Sequence, residues 1–338
     1  MSVSNYNPSY SPKLRVGVLR GGTSPEYDVS LKTGGSVLRH LPVEKYTPVD
    51  LLITKDGQWH VNGLPADLPK ISRNVDVVFN ALHGAYGEDG KVSRLLEHFS
   101  IPYTGSKALP SALGMNKVLA KEFFTKAGMR TPVSRVIKNY GIDEKERNAR
   151  ETAFEIFRTI TPPWIVKPIS GGSSVGTFII KSYPELIEKL LSFAQEETDV
   201  LLEEFIRGKE ATCGVVDSFR GRETYSLLPI EIRPVSGSPF FDFEAKYGGQ
   251  TEEIVPGNFS REESAEIQRL AVLAHRTLGL RHYSRSDFIV TPRGTYILEI
   301  NTLPGLTEHS LLPKSLHAVG ASFPEFLDHI VTLALKGI

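Results

Sequence analysis

Two strand-like segments, Tyr283-Ser-Arg-Ser-Asp-Phe-Ile-Val290 and Thr295-Tyr-Ile-Leu-Glu-Ile-Asn301, are separated only by Thr291-Pro292-Arg293-Gly294. So short a gap forces them to pair as an antiparallel hairpin. Pro suits the second position of a type I turn, and Gly the left-handed position after it. A three-residue Pro-Arg-Gly loop pairs Thr291 with Thr295. Counting back puts Asp287 opposite Glu299 and Arg285 opposite Asn301. Opposed residues share a sheet face, so these four point one way. Phe288, Val290, Tyr296, Leu298 and Ile300 point the other, into a core. Two carboxylates opposed on one face repel unless positive charge lies between them. Carboxylate and amide oxygens suit Mg²⁺, which commonly shares its shell with substrate phosphates. Arg285 beside them suits a phosphate or a developing oxyanion. The pattern is also that of a solvated polar face laced by cross-strand ion pairs.

The rest of the chain supplies a scaffold for such a face. Leu14-Arg-Val-Gly-Val-Leu19, the Gly21-Gly22 turn and the patterned stretch Tyr27 to Leu41 read as strand, turn and helix. Val49–Ile53 and Val75–Asn80 are further strands, and the alternation implies a parallel α/β first domain. Ligands in such sheets gather at the carboxyl ends of strands, here the loops 20–26 and 83–90. Ile101 to Ser106 connects onward, and a helix from about Asn116 to Ala127 ends at Gly128. Residues 140–152 are charged and turn-like. Trp164–Pro168, the loop 170–176 and Thr177–Lys181 form a strand, glycine loop, strand unit. The chain is strand-rich from Val200, with a helix over about 261–279.

Lys167-Pro-Ile-Ser-Gly-Gly-Ser-Ser-Val-Gly176 offers backbone N–H groups, hydroxyls and an ammonium, a workable phosphate cradle. It lacks the Gly-Lys-Ser/Thr of a Walker loop, and a plain hairpin turn reads equally well. Val200-Leu-Leu-Glu-Glu-Phe-Ile206 could present backbone groups and one carboxylate to an adenine edge, or be a surface strand end.

Composition narrows the classes. The 338 residues carry 39 Lys plus Arg and 39 Asp plus Glu, leaving no charge footprint for nucleic acid or an anionic membrane. No apolar run approaches a membrane span. The single cysteine, Cys213, sits in an alternating stretch that reads as a strand, and it fits a reducing compartment. The expected location is the cytoplasm. Residues 1–12 read as a disordered tail, and the domains as 13–107, 108–199 and 200–338.

Placed in order, these segments resemble the ATP-grasp superfamily, and within it the D-alanine–D-alanine ligases, from about Leu14 to Leu335. The resemblance rests on Gly21 to Leu31, Ala81-Leu-His-Gly-Ala-Tyr-Gly-Glu-Asp-Gly90, Met115-Asn-Lys117, Val166-Lys-Pro168, Gly172 to Gly176, Glu244-Ala-Lys-Tyr247, Arg285-Ser-Asp287 and Glu299 to Leu311. It implies an α/β N-terminal domain followed by two α+β subdomains that clamp ATP. By position, Lys117, Lys167, Ser173 and Ser174 contact the phosphate side. Glu203 receives the adenine amino group, Phe205 and Ile206 line the base pocket, and Glu210 holds the ribose. Lys246 reaches the γ-phosphate from a closing loop. Asp287, Glu299 and Asn301 ligate two Mg²⁺ or Mn²⁺ ions. Glu26 binds the first D-alanine's ammonium, with His83 near its carboxylate, and Ser173 and Tyr247 link to Glu26. Arg285 and the Gly305 backbone hold the oxyanion, and Ser310 and Leu311 receive the second D-alanine.

The implied reaction passes through an acyl phosphate, for peptidoglycan precursors. Family members often form homodimers through the first domain. Glu204, Gly171 and Glu308 depart from common family residues. Tyr247 favours an amine as second substrate, with D-serine as the alternative to D-alanine. A nucleotide-binding regulator is the reading outside enzymes.

Overall fold

The computed structural model describes residues 13–138, 145–171, 176–195, 199–234 and 251–337. The expected tail, 1–12, lies outside them. Three sheets carry the architecture. The first has the order β4-β3-β2-β1-β5, from β1 (Leu14–Gly21), β2 (Tyr46–Ile53), β3 (Trp59–Val61), β4 (Leu64–Pro65) and β5 (Val77–Asn80). β1 lies parallel between β2 and β5, as the strand–helix alternation implied. The antiparallel β3–β4 hairpin at its edge was not foreseen. A strand covered on both faces must be apolar on both, and Val16, Val18 and Leu19 are fully buried. One face packs on α1 (Tyr27–His40), the other near α2 (Leu68–Asn74) and α3 (Lys91–His98).

The second sheet is antiparallel, in the order β6-β9-β7-β8, from β6 (Ser134–Ile137), β7 (Trp164–Pro168), β8 (Phe178–Ile180) and β9 (Val200–Glu204). It packs on α6 (Lys145–Thr159) and α7 (Tyr183–Gln195) through Ile156, Trp164, Leu186 and Leu202. Two expectations are corrected here. The 140–152 stretch is helical from Lys145 onward. Ala149, Ala153, Ile156 and Ile160 are buried at helical spacing, a stripe that the surrounding charges obscured. The boundary at residue 200 also fails, because β9 is hydrogen-bonded along β7 inside this sheet.

The third sheet has the order β13-β12-β10-β14-β15, with β11 on β10. Its strands are β10 (Lys209–Asp217), β11 (Thr224–Ser226), β12 (Ile230–Pro234), β13 (Thr251–Ile254), β14 (Tyr283–Thr291) and β15 (Gly294–Asn301). Its core face packs on α8 (Arg261–Thr277), whose Ser260–Glu263 capping box satisfies the first-turn N–H groups. Ile267, Leu270, Ala271 and Ala274 supply the apolar stripe. α4 (Ala108–Met115) and α5 (Lys117–Lys126) precede the middle sheet in sequence. Yet Ala120 and Phe124 of α5 belong to this third core. After α9 (Leu311–Ala318), α10 (Phe323–Lys336) packs Phe326, Leu327 and Ile330 against Val16, Val18 and Phe79 of the first sheet. The cores thus do not follow the linear boundaries 13–107, 108–199 and 200–338. No single helix among the described residues is long and apolar enough to cross a membrane.

The hairpin corrects its own derivation. Thr291 pairs with Gly294, not Thr295, so Pro292 and Arg293 alone make the turn. The register then shifts at a bulge: Phe288 faces Ile297 while Asp287 faces Glu299, leaving Leu298 as the extra residue. The two differences cancel, so Asp287 faces Glu299 and Arg285 faces Asn301 as the longer loop required. The apolar face changes instead. Phe288, Val290 and Ile300 are buried as expected, but Ile297 takes the core place assigned to Tyr296 and Leu298.

Candidate active site

The polar face of the third sheet gathers the hairpin residues beside β10. Thr212 lies opposite Asp287 across β10 and β14, and its hydroxyl donates to Asp287 Oδ1 at 2.6 Å. Arg285 holds the same carboxylate bidentately, Nε to Oδ1 at 3.1 Å and Nη2 to Oδ2 at 3.0 Å. Burial works against the Arg285 charge, and Asp287 and Glu299 more than restore it. Lys117 Nζ stands 3.8 Å from Glu299 Oε2 and donates to the Gly171 carbonyl. Asn301 Oδ1 accepts from the Leu303 N–H at 3.0 Å, which fixes its amide. Asp287 and Glu299 keep part of their surface open, 20% and 34% of the side chain. No group of three His, Cys, Asp or Glu converges as a metal site among the described residues. The donor set here is two carboxylates and an amide, all oxygen, and it suits a hard divalent cation that keeps waters and phosphate oxygens.

Two compartments meet at this face. The first runs between the second and third sheets, lined by Ile165, Lys167, Glu203, Ile206, Glu210 and Leu298 among others. Glu203 is almost fully buried, with Lys121 Nζ 2.8 Å from Oε1 and Lys167 Nζ 2.8 Å from Oε2. Burial alone would raise the Glu203 pKa, but the two ammonium groups hold it below the ordinary carboxylate range. Burial pushes Lys121 down. For Lys167 burial acts the same way, and Glu203 with Glu299 outweighs it. Glu204, the departure from family pattern, turns aside: its Oε1 accepts from the Val133 N–H at 2.9 Å. Phe205, expected in the base pocket, instead lines a neighbouring cleft with Pro162, Pro163 and Ile179. Adjacent residues at an extended strand end point opposite ways, so placing Ile206 in the compartment turns Phe205 out of it.

The second compartment opens toward the first sheet and contains Glu26, His83, Gly305, Ser310 and Leu311. Ser24 Oγ donates to the His83 carbonyl at 2.7 Å, and the His83 ring meets Thr33 Oγ1 at 2.9 Å. Glu88 Oε1 accepts from the Gly84 N–H at 2.8 Å. The Ser24 and Thr33 contacts tie loop 83–90 to α1 and the turn before it, where Glu26 is the N-cap residue, and the Glu88 bond closes the loop on itself. A Cβ on Gly84, at φ +70°, would stand 2.5 Å from Glu26 Oε2; only glycine fits there. On the other wall Ser310 Oγ accepts from the Thr307 N–H at 3.0 Å and lies 3.0 Å from where a Gly305 Cβ would be. Lys117, Gly171, Arg285, Glu299 and Leu311 line both compartments. A group entering from either side therefore meets the other at the hairpin.

Ser173, Ser174, Lys246 and Tyr247 lie outside the described residues. The other expected residues, Phe205 apart, line one or both compartments. Thr212, Glu88 and Lys121 were not singled out from the sequence. Lys121 had a signal, one helical turn beyond Lys117 on the same face. Cys213 is fully buried and its thiol is pushed up to about 12, so it is a strand residue.

The fold is that of the ATP-grasp class, a cleft between two α+β units with an α/β unit at its open end. Residues 15–71 and 62–106 match the D-ala D-ala ligase N-terminus model, and 123–332 match the D-ala D-ala ligase C-terminus model. The chain is 40% identical to the D-alanine–D-alanine ligase of Geobacter sulfurreducens over 329 residues, 96% of each chain. It resembles the D-Ala:D-Ser ligase from Enterococcus faecalis, at TM-score 0.80 and 30% identity over 96% of this chain and 100% of that one. It also resembles the Bacillus anthracis D-alanine–D-alanine ligase complexed with ATP, at TM-score 0.76 and 31% identity over 96% and 98%. The chain belongs to the D-alanine–D-alanine ligase family.

Proposed function

We propose that the chain joins two D-alanine molecules into D-alanyl-D-alanine at the expense of ATP, for peptidoglycan precursor synthesis. What carries the reading is the meeting of the two compartments at Lys117, Arg285 and Glu299. A nucleotide in the first would direct its phosphates at an amino acid in the second. Glu203, Ile206 and Glu210 receive adenine and ribose, and Lys117 and Lys167 the phosphates. Glu26 takes the ammonium of the first D-alanine, with His83 near its carboxylate. That carboxylate attacks the γ-phosphorus, giving an acyl phosphate and ADP. The amine of the second D-alanine, held by Ser310 and Leu311, then attacks the acyl carbon and phosphate leaves. Arg285 and the Gly305 N–H stabilise the oxyanion between these events.

Phosphoryl transfer asks for alignment and charge neutralisation more than for a protein nucleophile. Asp287, Glu299 and Asn301 would hold two Mg²⁺ or Mn²⁺ ions. When bound, these neutralise charge on the phosphates. Lys246 and Tyr247, with Ser173 and Ser174, complete the site on this reading. An ATP-consuming enzyme with a single thiol fits the cytoplasm, and a homodimer is the expected assembly. ADP release across a panel of D- and L-amino acids tests the assignment. D-Alanine alone should support turnover, and its failure to do so would remove the specific substrate. Stimulation by D-serine only in the presence of D-alanine would shift the second substrate to D-serine.

A further inference from the structure

Glu203 is the most heavily contested group in the cleft. Its carboxylate is buried with two ammonium groups, Lys121 at Oε1 and Lys167 at Oε2, each at 2.8 Å. The two lysines differ in where they stand. Lys167 lines the nucleotide compartment beside Lys117 and Glu299. Lys121 does not line it; its ammonium sits behind Glu203, 3.4 Å from the Pro132 carbonyl just before β6.

Lys167 at Glu203 Oε2 occupies the acceptor that an adenine amino group would use. Phosphates draw an ammonium on a flexible stem as a mobile point charge, away from that oxygen. Left alone, a buried carboxylate takes up a proton, and a protonated carboxyl is a poorer acceptor for an amino group. We propose that nucleotide binding exchanges the partner of Glu203. Lys167 leaves for the phosphates and the adenine amino group takes its place. Lys121 stays throughout as the fixed counter-ion that keeps Glu203 an acceptor. Lys121 is then a positioning residue for base recognition, acting through Glu203 without touching the nucleotide. The inference rests on the reading that this cleft takes ATP.

Calorimetric titration of the whole chain with ATP and with purine riboside triphosphate, which lacks the amino group, tests it. Wild type should prefer ATP by roughly tenfold to a hundredfold, as expected for a hydrogen bond to a charged acceptor. Lys121→Met should bring that preference close to parity, and Lys121→Arg should retain it. Lys167→Met should weaken ATP yet strengthen adenosine, measured by ligand-observed NMR, because it removes the resting competitor on Glu203 while leaving Lys121. A folded Lys121→Met protein with the wild-type preference would overturn the proposal. So would weaker adenosine binding by Lys167→Met, which decides the matter even where Lys121→Met does not fold. Wild type that binds neither triphosphate would instead overturn the ATP reading itself.

Discussion

Replacing Thr212 by Val removes one hydroxyl from behind Asp287 and little else. Thr212 is 1% exposed, and its Oγ1 donates to Asp287 Oδ1 at 2.6 Å, with the Ser286 carbonyl 3.3 Å away. Valine keeps the branched shape but supplies no donor. Asp287 then loses that donor while keeping the bidentate Arg285 contact. A hydrogen bond to a charged group contributes about 1.5–3 kcal/mol. If Asp287 ligates a divalent cation, that bond fixes which way the carboxylate faces, and losing such a partner costs about 10–100-fold in metal affinity. The Mg²⁺ concentration for half-maximal turnover should therefore rise by at least about tenfold, while saturating Mg²⁺ should restore most of kcat. Mn²⁺ binding to the nucleotide-loaded protein, followed by electron paramagnetic resonance, gives the same comparison without turnover. An unchanged metal dependence in a folded Thr212→Val protein would refute this account of Asp287, as would loss of kcat that added Mg²⁺ does not repair.

Three further outcomes follow from the same coordinates. Gly84→Ala places a Cβ 2.5 Å from Glu26 Oε2 at a backbone φ of +70°; kcat/KM for D-alanine should fall by up to about a hundredfold, with ATP affinity unchanged by calorimetry. Phe124→Ala empties a fully buried site between α5 and the third sheet and should cost about 3–5 kcal/mol in chemical denaturation. Asp217 titrates below the ordinary carboxylate range: burial opposes this, but the His275 hydrogen bond, His275 charge and the His282 N–H outweigh it. A lowered folded-state pKa means that its stabilisation is complete above about pH 4 and is lost as the pH falls through the folded value. Asp217→Asn should therefore flatten the acid limb of a melting-temperature profile, and an unaltered limb would count against that role.

How much of this was legible in the sequence depends on whether the determining contacts were local. β1, α1 and β5 follow from apolar period and turn residues close in sequence. The Asp287–Glu299 pairing was reached through a turn one residue too long and a bulge at Leu298 that was not foreseen. A bulge is set by how both strands pack on α8, α5 and the cleft, which no hairpin count contains. The charges around Ala149 and Ala153 obscured α6, because burial against the second sheet, not composition, selects its apolar stripe. β9 was grouped with the wrong sheet for the same reason, since its partner β7 lies before the expected boundary. α10 was not read from the sequence at all; it packs on the first sheet and on Phe219 and Tyr283 of the third unit together. Glu203 could be nominated for adenine, but its two lysine partners meet only in three dimensions.

The most direct test of the central claim follows an oxygen atom. D-Alanine labelled with heavy oxygen in its carboxylate is incubated with the protein, ATP and Mg²⁺, and the released phosphate is analysed by mass spectrometry. Attack of the carboxylate on the γ-phosphorus, followed by attack of the second amine on the acyl carbon, leaves a labelled oxygen on phosphate for each D-alanyl-D-alanine formed. Dipeptide accompanied by unlabelled phosphate would contradict the acyl-phosphate route that the meeting of the two compartments at Arg285 and Glu299 supports.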